Sequence, residues 1–307
     1  MAGPNNASVL KPLEESWKGI CISSGINPRY GRINPYWMAA SVVDEAVRNN
    51  VCVGGRRWAL LDNFTWGNPE YPDRLGGLVY AARGCYDTAK IYKSPFVSGK
   101  DSLYNESPLG PIVPTLLITS LGIMPDIRKA ISMELKRAGN ALYVVGKTKP
   151  ELGGSEYYRL HGELGAIVPE LEPETNYKAY RRVIEAMDDG LVRACHDCSE
   201  GGLAVAAAEM SFTGDLGLDL DISKVPVIGP IRDDFVLFSE SNGRLLLEIP
   251  ANKIDKFENT MKDTPRAVIG SIKMEPKLTV MKGETMIFEK DLDTLIHAWK
   301  TPLEGRR

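Results

Sequence analysis

The polar stretch at residues 95–106, P-F-V-S-G-K-D-S-L-Y-N-E, constrains the fold of this chain more than any other segment. A short apolar run ends there at Ser98 and Gly99, which is typical of a strand that runs into a turn. Gly99 allows backbone amides to approach a ligand closely, and Lys100 adds a positive charge. The carboxylate, hydroxyl and amide side chains that follow supply hard oxygens. The stretch therefore predicts a strand end that binds phosphate and Mg²⁺, with a solvated surface turn as the alternative.

This segment is not a Walker A phosphate loop. That motif requires a glycine five residues before Gly99, where Ser94 stands. It also requires Ser or Thr directly after the lysine, where Asp101 stands. Any phosphate site here therefore differs from that of the P-loop enzymes, and other segments must help to define it.

The length and composition set the broad class. The chain has 307 residues, of which 43% are hydrophobic and 25% charged, which suits two domains, placed at 1–130 and 131–307. A net charge of −3 without long runs of one sign argues against a nucleic-acid partner. No apolar stretch has the length of a membrane helix, and no secretion signal is visible. Five unevenly spaced cysteines are typical of free thiols in a reducing compartment, so we expect a soluble cytoplasmic protein.

Apolar residues recur at helical spacing over residues 36–49, which predicts an amphipathic helix. Glu45 and Asn49 lie one turn apart and therefore share a face of that helix, as an oxygen-bearing pair or as an ordinary polar surface. Asp44 and Arg48 have the same spacing. For them the expectation is a weak surface salt bridge.

Asp62 ends a predicted strand over residues 57–62 and is followed by a turn-rich loop, residues 63–69. Loops that follow strands carry binding residues more often than strand interiors do. The position of this carboxylate therefore favours contact with a ligand over packing in the core.

The second half contains a similar unit, in which a strand over residues 191–196 runs into an acidic loop, two glycines and a small-residue helix. The amides of a helix N-terminus attract anions, and Asp197 beside them is suited to hold the metal that accompanies a phosphate. Ser199 fits two roles, as a cap of the helix or as a ligand contact. Farther along, the apolar run at 235–238 predicts a strand.

Cys195 and Cys198 have the spacing of half a zinc site or of a redox motif. Zinc requires two further ligands, and the other cysteines are isolated in sequence, as are His161 and His297. Packing residues are the default interpretation. His196, which ends the strand beside Asp197, is expected to be buried and not catalytic.

Four segments together resemble a known family: residues 95–106, 151–157, 196–203 and 238–244. They are similar to the second half of the phosphoribosylformylglycinamidine synthase large subunit, which consists of two tandem lobes of the aminoimidazole ribonucleotide synthetase type. The resemblance implies an α+β fold. An N-terminal barrel-forming α/β domain, whose strands join those of a partner, is followed by a C-terminal α/β sandwich domain.

The resemblance also implies a reaction and its partners. In this purine-biosynthesis family, an ATP-dependent carbon–nitrogen ligase phosphorylates the amide oxygen of formylglycinamide ribonucleotide, and ammonia from glutamine displaces the phosphate to give the amidine. The first lobe carries the catalytic histidine, so no catalytic residue is expected here. The implied partners are that first lobe, a glutaminase subunit and a small bridging subunit. An isolated chain is expected to form a homodimer, without amidine synthesis.

Family positions carry over to single residues. The resemblance implies that Asp62 and Gly99 contact the reacting ATP, that Lys100 contacts phosphate, and that Ser102 contacts the substrate. It further implies a second, structural nucleotide site that holds Mg²⁺ and ADP, with its residues as follows: Glu45, Asn49 and Asp197 as metal ligands and Ser199 as a nucleotide contact. The family's fourth metal ligand, an Asp, aligns with Asn6, which predicts a weakened or empty site. Residues 238–244 are expected to be structural, although the matching segment of the other lobe contacts substrate.

Two alternatives remain at this point. One is a non-catalytic lobe that holds a nucleotide only to stabilise an assembly. The other is a different ATP-dependent enzyme of the superfamily, namely aminoimidazole ribonucleotide synthetase, selenophosphate synthetase or thiamine monophosphate kinase.

Overall fold

The computed structural model describes residues 4–301. The elements of its first half are, in chain order: β1 (Ser8–Leu10), β2 (Gly19–Ile26), α1 (Pro28–Gly31), α2 (Pro35–Cys52), β3 (Arg56–Thr65), α3 (Pro72–Tyr92), β4 (Phe96–Gly99), β5 (Glu106–Ser107), β6 (Gly110–Pro111) and β7 (Thr115–Met124). Prolines at the first turns of α2 and α3 suit those positions, because their missing N–H has no partner there in any helix.

Five of these strands form one sheet in the order β1-β2-β7-β3-β4. Burial alternates along β7, with Leu116, Ile118 and Ser120 buried, as expected where one face packs on a helix layer. Helix α2 covers that face, and the Ser23 hydroxyl donates to the Ala46 carbonyl oxygen at 2.7 Å. The other face is partly open, with Ile123 45% exposed. Strand β4 is an edge strand, and all four of its residues are exposed.

The second half contains the following elements: β8 (Ala141–Val145), α4 (Glu156–Leu160), α5 (Pro173–Asp188), β9 (Ala194–Asp197), α6 (Gly202–Gly214), β10 (Gly217–Asp221), α7 (Asp233–Phe238), β11 (Leu245–Ile249), α8 (Ile254–Thr260), β12 (Arg266–Lys273), β13 (Lys277–Lys282), β14 (Thr285–Asp291) and α9 (Leu292–Lys300). Seven strands form a second sheet in the order β14-β13-β10-β12-β8-β11-β9.

Both faces of the second sheet are covered at its centre, because every residue of β8 and β11 is buried. Tyr143 and Val145 of β8 pack in the same core as α5 and α8, whereas Leu142 and Val144 pack in a second core with α6 and α9. This alternation follows from the two-residue period of a strand. The predicted α+β class, with a sandwich in the second half, is confirmed.

The two sheets share one core. It runs from α2 and α3 through α5 to β8 and β11, so that residues of both halves pack together. Trp58 meets Tyr177 edge-on, with 6.2 Å between ring centroids. This packing brings α2 against the carboxyl end of β9. The division into domains at about residue 130 remains a prediction.

Most predicted helices and strands are confirmed within a few residues, but the strand predicted at Phe235–Phe238 is wrong. These residues form helix α7, which begins with Asp233 and Asp234 in its first turn. Acidic residues stabilise the start of a helix, and a short apolar run does not by itself distinguish a strand from a buried helix. Strand β14 was not predicted. Within residues 4–301, the helices are all too short or too polar to cross a bilayer.

The contact between α2 and α3 depends on Gly84. A Cβ built there would lie 2.3 Å from the Tyr36 carbonyl oxygen, which belongs to rigid backbone. We therefore expect Gly84→Ala to lower the free energy of unfolding by about 1–3 kcal/mol, although Ala is intrinsically the better helix former. Gly76→Ala, in the same helix, is the matched control. Nothing lies within 4 Å of its added Cβ, so it should stabilise by roughly 0.5–1 kcal/mol. Urea unfolding measures both, and a stabilised Gly84→Ala variant would contradict the packing.

Candidate functional site

The residues predicted from the sequence fall into two groups. The edge loop consists of Asp62, Gly99, Lys100 and Ser102, at β3 and β4. The helix cleft consists of Asn6, Glu45, Asn49, Asp197 and Ser199, between α2 and the end of β9. Each group is assembled in space, and no hydrogen bond joins the two groups in residues 4–301.

Backbone pairing forms the edge loop. Strand β4 runs parallel to β3, which places Gly99 opposite Asp62, and the Lys100 N–H donates to the Asp62 carbonyl oxygen at 2.9 Å. The Ser102 N–H donates to the Phe64 carbonyl oxygen at 2.7 Å. Asp62, Lys100 and Ser102 are therefore held at one rim by bonds that do not involve their side chains.

Gly99 is required here by close approach. A Cβ at this position would lie 2.3 Å from the Asp62 carboxylate. Partial burial raises the pKa of Asp62, and repulsion from Asp101 adds to this effect. The Asn105 amide donates to the Ser102 carbonyl oxygen at 2.6 Å and orders the turn that follows. The Lys100 side chain is exposed, and its ammonium has no hydrogen-bond or ion-pair partner in the described part of the chain.

In the helix cleft, side-chain oxygens converge on Asn6. Its amide nitrogen donates to Asn49 Oδ1 and to Asp197 Oδ1, both at 2.7 Å. Its amide oxygen lies 3.0 Å from His196 Nδ1, and His196 Nε2 lies 2.9 Å from a Glu209 oxygen. His196 is buried, as predicted. The cleft has a volume of about 220 Å³.

The prediction of a weak surface pair at Asp44 and Arg48 is wrong. Both side chains are buried and hydrogen-bonded to each other. Arg48 also reaches Asp197 Oδ2 at 3.2 Å and Ser199 Oγ at 2.9 Å. Asp44 accepts from Tyr92, from the Tyr180 hydroxyl at 2.7 Å, and from Asn176 and the Gly243 N–H. Spacing along a helix shows which residues share a face, but the burial of that face depends on β9 and α5.

Of the two roles predicted for Ser199, the role of helix cap is wrong, because Ser199 does not cap α6. The cap residue is Gly201, which has the left-handed φ of 77° and makes no side-chain bond. The Ser199 hydroxyl donates instead to Asp197. Glu240 fixes this turn, because it accepts from the Gly201 N–H at 3.0 Å and from the Tyr30 hydroxyl at 2.7 Å. The sequence placed Arg48 on the surface, and it gave no separate role to Glu240, which lies inside the 238–244 motif.

Acidic groups crowd the mouth of the helix cleft. Burial raises the pKa of Glu45 well above its usual range, and the neighbouring Glu200 and Asp197 raise it further. Burial also raises the pKa of Glu200 to about 7, with contributions from Glu240 and Asp197. Such a cluster attracts a cation or a proton.

The two other motifs from the sequence contain buried residues. Arg244 is fully buried and donates to the Ser241 carbonyl oxygen and to Thr148 Oγ1, each at 3.0 Å. Cys195 and Cys198 are buried, and burial raises the pKa of Cys198 to about 11. In residues 4–301, no three His, Cys, Asp or Glu side chains are grouped as a metal site. Any metal in the helix cleft would therefore depend on amide oxygens as well.

Comparison with known proteins gives two adjoining family matches. Residues 4–124 match the N-terminal domain, and residues 137–283 the C-terminal domain, of AIR synthase related proteins. A phosphoribosylformylglycinamidine synthase subunit PurL from Methanothrix thermoacetophila is 38% identical over an alignment of 312 positions, which covers 98% of this chain and 40% of that protein. The chain thus spans about two fifths of this relative.

Solved structures show the same fold. T. maritima PurL complexed with FGAR matches with a TM-score of 0.83 and 20% identity, over 94% of this chain and 47% of that chain. T. maritima PurL complexed with ATP matches with a TM-score of 0.78 and 20% identity, over 94% and 46%.

The buried ion pair on α2 provides a test of the helix cleft. Replacing Arg48 by Met leaves Asp44 and Asp197 without their cation, so we expect a loss of roughly 3–5 kcal/mol in the free energy of unfolding. The control is Arg182→Met on α5. Arg182 forms an exposed helix pair with Glu185, and its loss should cost less than about 1 kcal/mol. Chemical denaturation measures the loss of stability in each variant. Similar losses for Arg48→Met and Arg182→Met would show that the buried Arg48 network contributes no more to stability than a surface pair does.

Proposed function

Because the chain belongs to the AIR synthase-related family, we propose that it is the second synthetase lobe of a phosphoribosylformylglycinamidine synthase. The observation that carries this proposal is the edge loop, where a glycine, a free lysine and a serine lie beside a carboxyl at the rim of a sheet. This set suits a phosphorylated ligand. The relatives at this level of identity carry the same subunit name over the matched region.

In the proposed reaction, ATP phosphorylates the amide oxygen of formylglycinamide ribonucleotide, and ammonia then displaces phosphate to leave the amidine. Asp62, Gly99 and Lys100 face the nucleotide phosphates in this scheme, and Ser102 faces the substrate. Lys100 acts as a phosphate contact, because a charged ammonium does not ligate Mg²⁺. No residue of this chain is assigned as the catalytic acid or base.

The partners in this proposal are a first lobe, a glutaminase subunit that supplies ammonia, and a small bridging subunit, all in the cytoplasm. The exposed face and edge of the first, five-stranded sheet support pairing with a first lobe. Its edge strand β4 has unpaired backbone groups, and Phe96, Val97 and Ile123 are all more than a third exposed. Exposed edges of this kind readily pair with another chain. In isolation, a second copy would take the same place.

Mg²⁺ with ADP is the proposed ligand of the helix cleft. Glu45, Asn49 and Asp197 offer the hard oxygens that Mg²⁺ prefers, and Ser199 lies beside them. The fit is incomplete, however. The Asn6 amide donates its hydrogens to Asn49 and Asp197, where a cation would attract the same oxygens. This favours a second candidate role for the chain, a structural lobe with weak nucleotide binding.

We expect Asn6→Asp to strengthen Mg²⁺-dependent binding of ADP by about tenfold or more, because a carboxylate replaces a donor at the point where the oxygens converge. Titration calorimetry with ADP, with and without Mg²⁺, measures the change. Without Mg²⁺ the variant should also melt at a lower temperature than wild type, because the new charge adds to an acidic cluster. Asn259→Asp, which adds the same charge at an exposed position outside the cleft, is the control. Equal gains in both variants would exclude a role for Asn6.

The proposed reaction is tested by supplying the purified chain with ATP, Mg²⁺, ammonia and formylglycinamide ribonucleotide. We expect no amidine from the chain alone and restored turnover when a first lobe is added. In the restored assembly, Ser102→Ala should raise the apparent KM for the ribonucleotide while its melting temperature changes little, since a loop hydroxyl of this kind contributes about 0.5 kcal/mol or less to stability. Full turnover by the chain alone, or no turnover with every partner present, would refute the proposal.

A further inference from the structure

A broad cleft lies where the two halves of the chain join, away from the edge loop and the helix cleft. It has a volume of about 1040 Å³. Its walls are residues 128–140 after β7, residues 187–193 at the end of α5, and residues 250–253 after β11. None of the residues assigned above to nucleotide, metal or substrate lines it.

The charge of this cleft is opposite to that of the whole chain. Six lysines and arginines line it, against the single carboxylate of Asp188, in a protein with a net charge of −3. Asp188 is itself held by Arg56 in a two-pronged pair at 2.7 and 2.8 Å. In contrast, Lys129, Arg137 and Arg193 are exposed, and their side chains have no hydrogen-bond or ion-pair partner in residues 4–301.

A second cleft of about 750 Å³ borders the first and shares Asp188 with it. Five more basic residues line it, among them Arg57, Lys178 and Arg181, against three acidic ones: Glu185, Asp188 and Asp189. We call the two clefts together the basic groove. It contains eleven basic and three acidic side chains.

Arg57 lies at a β-bulge in the wall of the basic groove. Arg57 has a φ of 54°, which lies in the left-handed region that residues other than glycine rarely adopt. It lies where the pairing of β3 with β7 shifts register, between Arg56 and Ala59. Bulges of this kind redirect a side chain, and here the redirected side chain is an exposed arginine in the groove.

We propose that the basic groove is a docking surface for an acidic segment of a protein partner. Four of the eleven basic groups form ion pairs, with Asp126, Glu134, Glu185 and Asp188. The other seven have no carboxylate partner in residues 4–301, and this surplus of positive charge attracts a chain of carboxylates. Seven of the eleven are arginines, whose planar guanidinium groups bind carboxylates through two parallel hydrogen bonds.

Two other ligand classes fit less well. The groove is open and consists of two adjacent clefts, whereas a small-molecule site is a single, largely apolar pocket. Tyr177 is the aromatic residue of its lining, so successive bases of a single strand would lack stacking partners. The negative net charge of the chain also repels a long polyanion. A short acidic stretch of polypeptide meets the local charge without these costs.

The test uses the whole chain and a fluorescent oligo-glutamate peptide, followed by anisotropy at low and physiological salt. We expect Arg137→Glu/Arg193→Glu to weaken binding by about tenfold or more, because two unpaired cations become repulsive. The control, Lys224→Glu/Lys290→Glu, makes the same change of net charge on exposed residues outside the groove and should alter the affinity by less than about twofold. The neutral variant Arg137→Gln/Arg193→Gln should fall between wild type and the charge reversal, and melting temperatures confirm that each variant folds.

Oligothymidylate of equal charge and tripolyphosphate serve as the comparison ligands. Tighter binding of the oligothymidylate, with the same dependence on Arg137 and Arg193, would overturn the proposal in favour of a nucleic acid. Full displacement of the peptide by tripolyphosphate at equal charge would overturn it in favour of a small anion. Absence of peptide binding, or equal losses in the groove and control variants, would also overturn it.

Discussion

The guanidinium group of Arg48 lies between two carboxylates, one on the helix that covers the first sheet and the other on a strand of the second sheet. Asp44 belongs to α2, which covers the first sheet, whereas Asp197 ends β9 at the edge of the second. A buried charge is tolerated only when it is paired and hydrogen-bonded, so the position of each of these side chains requires that of the other two. Tyr180, Asn176 and the Gly243 amide complete the shell of Asp44. The relative placement of the two halves, and with it the helix cleft, depends on this network.

The helix cleft and the edge loop are built in different ways. In the cleft, a side-chain hydrogen bond joins Asn6 to Asp197, 191 positions away in the sequence, so the arrangement depends on which side chain stands at each end. In the edge loop, backbone pairing sets the positions of Asp62 and Gly99. The Asp62 carboxyl and the Gly99 backbone therefore remain available to a ligand. The helix cleft therefore depends on the identity of single side chains, whereas the edge loop depends on the path of strand β4.

Much of the fold was predictable, because helix α2 and strands such as β8 carry clear periodicity. Local patterns also placed Glu45 and Asn49 on one face of α2, whereas Asp62, predicted to end its strand, lies three residues before the end of β3 at Thr65. Two kinds of feature were not accessible in this way. The burial of Arg48 depends on contacts with β9, which spacing within α2 does not reveal. The capping role, one of two that the sequence left open for Ser199, belongs to Gly201. The helix at Phe235–Phe238 could not be predicted by local pattern either, since a run of four apolar residues fits both a strand and a buried helix.

The common core has a consequence for the way in which the chain loses its structure. Residues from Tyr30 to Met261 contribute to one cluster that includes α2, α3 and α5. Cutting the chain near residue 130 would expose the inner side of α2 and leave Asp197 without Arg48. Cooperative unfolding units follow shared packing and not sequence order. The two sheets should therefore exchange their most protected amide hydrogens in a single event, with β14 and the edge strand β4 opening earlier and independently.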